Sequence, residues 1–130
     1  MSAVSKGNKI ELEAKKTLEY FGWSVFRQHR KPIFMKGKMI TIGADIFGVD
    51  LIAKKAGLRS AWIQVSTIQN VAAKKKQIEN FVLIPAHERY LVWGRRDGKR
   101  VFEEHLYTGD GKNHSWQITQ DIVIVEGKNE

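Results

Sequence analysis

The chain contains no cysteine. Disulfides and thiolate metal sites are therefore excluded, and a reducing compartment is the natural setting. No apolar run approaches the ~20 residues that a membrane helix needs. Residues 1–9 are polar and lack the apolar centre of a signal peptide. A cytoplasmic protein with no membrane partner is expected. There is no internal repeat, no low-complexity tract and no linker, so the 130 residues read as a single domain spanning 1–130, with one modest core.

Hydrophobic residues make up 42% of the chain, enough to fold it. Net charge is +8, and the charge is unevenly spread. Residues 1–40 hold nine Lys and Arg against three Glu, a balance of +6, whereas residues 101–130 hold two Lys against six acids, a balance of −4. A basic N-terminal part suits a polyanion, most simply nucleic acid. It also suits a basic surface that only keeps the protein soluble.

Hydrophobic period and capping residues place the elements. Asn8 can cap a helix to about Tyr20, with Ile10, Ala14 and Leu18 on its apolar side and Gly22 closing it. A strand follows over 23–27. Residues 29–43 form a basic loop or irregular strand pair around Pro32 and Gly37. A hairpin joins the strands 49–53 and 61–67. Asn70 can cap a second helix to about Phe81. Asp97-Gly98 turns a further hairpin, 89–95 with 99–107. Segments 115–119 and 122–125 are weaker strand candidates. The expected class is α/β, helices on a mixed sheet.

Asp50 is the most informative residue. It lies in Val49-Asp50-Leu51-Ile52-Ala53, where composition asks for a buried strand. A carboxylate there is costly unless paired or bound to a metal. Gln64 and Ser66 share one face of the next strand, because side chains alternate. Glu11 lies one turn from Ala14 on the inner side of the first helix; Glu13 is its rival, with Thr17 and Tyr20 as less buried neighbours. Acids and an amide brought to one place suit a hard cation held by oxygen. Each residue also has a plainer role, and Asp50 can be a turn residue if the strand opens later than Gly48 suggests. Glu11 can serve the helix dipole, Gln64 and Ser66 can face solvent on an edge strand, and Lys74, Lys75 and Lys76 can be a solvated helix face. The four histidines show no zinc spacing.

The spacing of Lys6-Gly7, Glu11, Gly22-Trp23, Val25 and Arg27 resembles the opening of archaeal Holliday junction resolvases. The stretch from Asp45 through Gly48-Val49-Asp50 to Ala53, followed by Ile63-Gln64-Val65-Ser66-Thr67, is similar to the core of PD-(D/E)XK nucleases. The resemblance covers roughly residues 6–82. It implies a restriction-endonuclease-like sheet with an αβββαβ core, and a homodimer that cleaves branched DNA in recombination or repair. It implies Mg²⁺, with Mn²⁺ as substitute, held by Glu11, Asp50 and Gln64. Glu11, Asp50, Gln64 and Ser66 take the catalytic positions. Gln64 stands where a Glu is usual, and Ser66 where a Lys is usual. Asp45 could supply the missing carboxylate, and one of Lys74, Lys75 and Lys76 the missing cation.

Two functions follow: a Mg²⁺-dependent endonuclease, or a nuclease-like protein that binds DNA without cutting it. A restriction or repair nuclease of other specificity is a third. The basic residues Lys6, Arg27, Arg30, Lys31, Lys36, Lys38 and Lys74–Lys76 are the expected DNA contacts. Binding through them releases counterions, so affinity should fall steeply with salt, with a log–log slope of about −0.9 per phosphate contact. Affinity for a four-way junction, measured by anisotropy from 50 to 200 mM salt, checks this. An unchanged affinity rules out a phosphate-dominated contact.

Overall fold

Eighteen residues, Ala3–Tyr20, form helix α1. The computed structural model describes residues 3–27, 31–35, 38–42 and 47–125, and the side chains of 7–27 and 47–125. Ile10, Ala14 and Leu18 recur every fourth residue and are buried along one stripe. Gly22 ends the helix with a φ of +92°, which a residue without Cβ adopts freely. The chain thereby folds back, and the Trp23 amide donates to the Leu18 carbonyl at 3.1 Å.

Strand β1 (Ser24–Arg27) follows, then a hairpin of β2 (Lys31–Met35) and β3 (Lys38–Ile42), which forms its own two-stranded sheet. The main sheet continues with β4 (Leu51–Lys54) and β5 (Ser60–Thr67). After a single 3₁₀ turn comes α2 (Val71–Glu79), then β6 (Glu88–Arg95), β7 (Val101–Tyr107) and β8 (Trp116–Val123). The sheet order is β1-β4-β5-β6-β7-β8. Every neighbouring pair is antiparallel except β5 and β6. Parallel neighbours cannot be joined by a tight turn, and α2 is the crossover that returns the chain. Among the described residues the result is an α/β arrangement of a six-stranded mixed sheet and two helices.

Alternation along β5 and β6 sorts the core into two clusters. Ala61, Ile63, Val65, Leu91 and Trp93 pack with α1, whereas Val92 and Tyr90 pack with Val71 and Ile78 of α2. One core was expected and two exist, because the central strands are apolar on both faces. Most apolar residues of β6 and β7 are taken up by these two clusters.

Several boundaries differ from the sequence reading. The second helix stops at Glu79, short of Phe81, which is exposed. The two weak C-terminal candidates are one strand, β8, bulged opposite Glu104 and His105. The bulge shifts the alternation that a period-two reading depends on. Thr17, expected to be less buried, is fully buried and its hydroxyl accepts from the Val125 amide at 3.1 Å. Among the described residues no helix is long and apolar enough to cross a membrane.

Gly48 marks where the chain passes beneath α2. Its φ is +79°, and a Cβ there would stand 2.8 Å from the Gln77 carbonyl oxygen. Gly57 has the same φ with open space around it. Gly57→Ala should therefore cost only the left-handed backbone, about 1–2 kcal/mol. Gly48→Ala should cost clearly more, because backbone must move as well. Urea unfolding of the two variants checks the ordering. Equal losses would contradict the close approach.

Candidate functional site

The hairpin of β4 and β5 lies inside the sheet, between β1 and β6, and its polar residues are the ones the sequence singled out. Asp50 is 4% exposed and Gln64 is wholly buried. The Asp50 amide donates to the Ile63 carbonyl at 3.0 Å. Its Oδ2 accepts from the Val65 amide, also at 3.0 Å. Asp50 thus grips the backbone of β5 on both sides of Gln64. Gln64 points to the α2 face, where its Nε2 donates to Oε1 of Gln77 at 2.7 Å. Ser66 shares that face by alternation, and its hydroxyl donates to the Thr67 carbonyl. Neither residue is a solvent-facing group of an edge strand, since β5 is paired on both sides.

Glu11 is not part of this group. Its helix covers the opposite face, and its Oε1 accepts from Nε of Arg27 at 3.2 Å. Arg27 also donates to Oδ1 of Asn8. Glu13 is similarly engaged, 3.2 Å from Nε of Arg95 and 3.6 Å from Nη2 of Arg100. The two helix acids are therefore salt-bridged on the α1 face, while Gln64 and Ser66 lie under α2. This corrects the expectation that Glu11, Asp50, Gln64 and Ser66 meet at one spot. Sheet geometry is the reason: the helix acid and the strand pair belong to opposite faces.

Among the described residues, the donors at the hairpin do not by themselves make up a Mg²⁺ site. At the hairpin Asp50 is the one carboxylate, and Gln64 and Ser66 bring neutral oxygens, whereas this hard cation is usually held with carboxylate charge. Among the described residues no group of three or more His, Asp and Glu is gathered to hold a metal. Asp45 lies outside the described residues.

The expected DNA contacts divide in the same way. Arg27 is engaged with Glu11. On α2, Lys76 is exposed and Lys74 half-buried. Lys75 lies over the Trp116 ring at 5.7 Å from its centroid. Burial lowers its pKa, opposed by the charges of Glu103 and Glu79. Arg30 and Lys36, and the side chains of Lys6, Lys31 and Lys38, lie outside the described residues; the backbones of Lys31 and Lys38 pair in the β2–β3 hairpin. A further basic surface was not foreseen. Lys9, Lys16 and Arg100 line a cavity of about 370 Å³ beside α1.

A second polar group was also missed. Glu103 and His105 share the α2 face of β7, with His105 Nε2 2.7 Å from Oε1 of Glu103. Arg96 also pairs with Glu103 and reaches Asp121 at 3.5 Å. The i, i+2 spacing in Val-Phe-Glu-Glu-His-Leu-Tyr carries the signal, but only once α2 is known to lie over it. Comparison with known proteins finds no matching family model, curated protein or solved structure.

Two expectations follow. Asp50→Ala should leave the buried Val65 amide without that acceptor and cost about 1–3 kcal/mol, whereas Asp50→Asn retains an oxygen there and should cost less. Equal unfolding midpoints for wild type and Asp50→Ala would contradict the clamp. The second concerns pH. Burial lowers the pKa of His105, aided by Lys75 and Arg96 and opposed by the hydrogen bond and charge of Glu103. The unfolded chain then binds the extra proton more readily below about pH 6.5, the ordinary histidine value. Stability from neutral His105 is full above that pH and is lost as pH falls through it. Urea midpoints between pH 7 and pH 5 should fall, and fall less in His105→Gln. Identical slopes would exclude His105 as the cause.

Proposed function

We propose that the chain is a DNA-binding protein built on the restriction-endonuclease-like αβββαβ plan, of the Holliday junction resolvase type within the PD-(D/E)XK nucleases. One observation carries the reading. A helix, a strand and a central hairpin with Asp50 clamped around Gln64 are followed by a crossover helix and a parallel strand. This order matches what the resemblance implies, and the overall charge of +8 suits a polyanion.

Of the two readings, binding without cleavage is the better supported. Gln64 and Ser66 replace the usual Glu and Lys, Gln64 is buried against Gln77, and Glu11 is held by Arg27 on the other face. The alternative, a Mg²⁺- or Mn²⁺-dependent endonuclease, needs a second carboxylate, which Asp45 would have to supply. A homodimer is part of the resemblance, since a two-fold protein suits a two-fold junction.

The experiment combines binding and cleavage on labelled four-way junction with Mg²⁺, Mn²⁺ or EDTA. The wild type should bind and leave the junction intact. Gln64→Glu combined with Ser66→Lys should gain metal-dependent cutting, on the order of 10²-fold over background, because charge is restored beside the phosphoryl group. Wild-type cleavage that Asp50→Asn abolishes would favour the endonuclease instead. Absence of DNA binding by the wild type would overturn both readings.

A further inference from the structure

The α2 face of the sheet opens, on the far side of Trp62 from Ser66, into a cavity of about 310 Å³. Phe47, Trp62, Phe81 and Tyr90 contribute aromatic walls, and Glu88 contributes the acid among the lining residues. Phe47 lies 6.0 Å from Trp62 and 5.8 Å from Phe81, centroid to centroid, with interplanar angles of 48° and 78°. Rings set at such angles present both faces and edges to a flat guest.

The backbone at Phe47 is held in an unusual state. Its φ is +48°, the one positive value at a non-glycine residue among those described. A bulky residue in the left-handed region is strained, and strain of this kind gathers at functional sites. The strain does not serve the core, because Phe47 remains 61% exposed. It places a ring at the mouth of the cavity.

The cavity's position ties it to the hairpin site. Trp62 and Gln64 project from the same face of β5, about 7 Å apart along the strand. Phe47 precedes Asp50 by three residues. Glu88 is fixed by Tyr90, whose hydroxyl donates to its Oε1 at 2.9 Å and accepts from the Ile84 amide at 2.7 Å. Burial pushes the Tyr90 pKa up to about 12, so the hydroxyl keeps its proton. Glu88 is then an acceptor for ring N–H groups.

These features select the guest. The volume is at the low end of ligand cavities, about 300–1,000 Å³, which suits one planar ring system and not a peptide helix. Aromatic walls with a single acid would also suit an organic cation. A chain of net charge +8 repels free cations, however, and attracts a polyanion that carries rings. Nucleic acid bases have π-faces to stack on and N–H groups to donate.

We propose that this pocket receives one unstacked nucleobase from bound DNA, an inference that rests on the DNA-binding reading above. An enzyme or binding protein that reads branch points gains by this, since unpaired bases are the least costly to extrude. The pocket would prefer DNA with an unpaired base over continuous duplex of equal charge.

The test compares a duplex bearing a single-nucleotide bulge with the same duplex whose bulged nucleotide is abasic. The wild type should bind the base-containing bulge about tenfold more tightly. Phe47→Gly removes the ring and suits the left-handed backbone, so folding is retained. It should abolish that difference and leave affinity for plain duplex unchanged. Phe81→Ala should act in the same direction. Equal wild-type affinity for the two bulges, with duplex still bound, overturns the pocket and leaves the DNA reading standing. A difference that survives Phe47→Gly, with a change of oligomeric state in that variant, assigns the patch to a protein partner and also overturns it. If no DNA binds, the DNA reading fails. The pocket is then judged by tryptophan emission titrated with AMP and CMP, where no saturable quenching that is lost in Trp62→Phe overturns it too.

Discussion

Parallel pairing of β5 with β6 is the constraint on which the rest of the molecule depends. It puts eight register pairs at the centre of the sheet, from Ser60↔Glu88 to Thr67↔Arg95. A parallel pair requires a crossover, and α2 provides it. The crossover covers one face while α1 covers the other, so β5 and β6 must be apolar on both sides. Gln64 and Ser66 are then polar residues inside a buried strand, and each must find a local partner. Gln77 and the Thr67 carbonyl are those partners.

The same arrangement explains the electrostatics. Arg27 neutralises Glu11, and Arg95 and Arg100 neutralise Glu13, all on the α1 face. Under α2, Glu103 balances Arg96 and lies beside His105 and Lys75. Charge is thus paired near the core, while among the described residues Lys9, Lys16 and Lys76 are exposed.

Much of this fold was legible before any coordinates. The spacing of Ile10, Ala14 and Leu18 gave α1, Asp97-Gly98 gave the β6–β7 turn, and the alternation of Trp62, Gln64 and Ser66 gave their common face. What escaped was information that only tertiary structure holds. Period does not tell which sheet face a helix will cover, so Glu11 was expected beside Gln64 although the sheet separates them. The bulge of β8 breaks the alternation that would have joined its two halves. Phe47 reads as an ordinary apolar residue, and only its left-handed backbone and its exposure distinguish it. Glu103 and His105 are one polar pair among many until α2 is set above them.

We propose that the protein engages branched or unpaired DNA in preference to plain duplex. Competition at fixed salt tests it most directly: a labelled four-way junction bound to the full chain, displaced by unlabelled junction or by unlabelled duplex of equal phosphate count. The account predicts that junction competes at least tenfold better, since equal phosphate numbers cancel the electrostatic contribution. Equal competition by the two would reduce the interaction to charge alone and contradict the account.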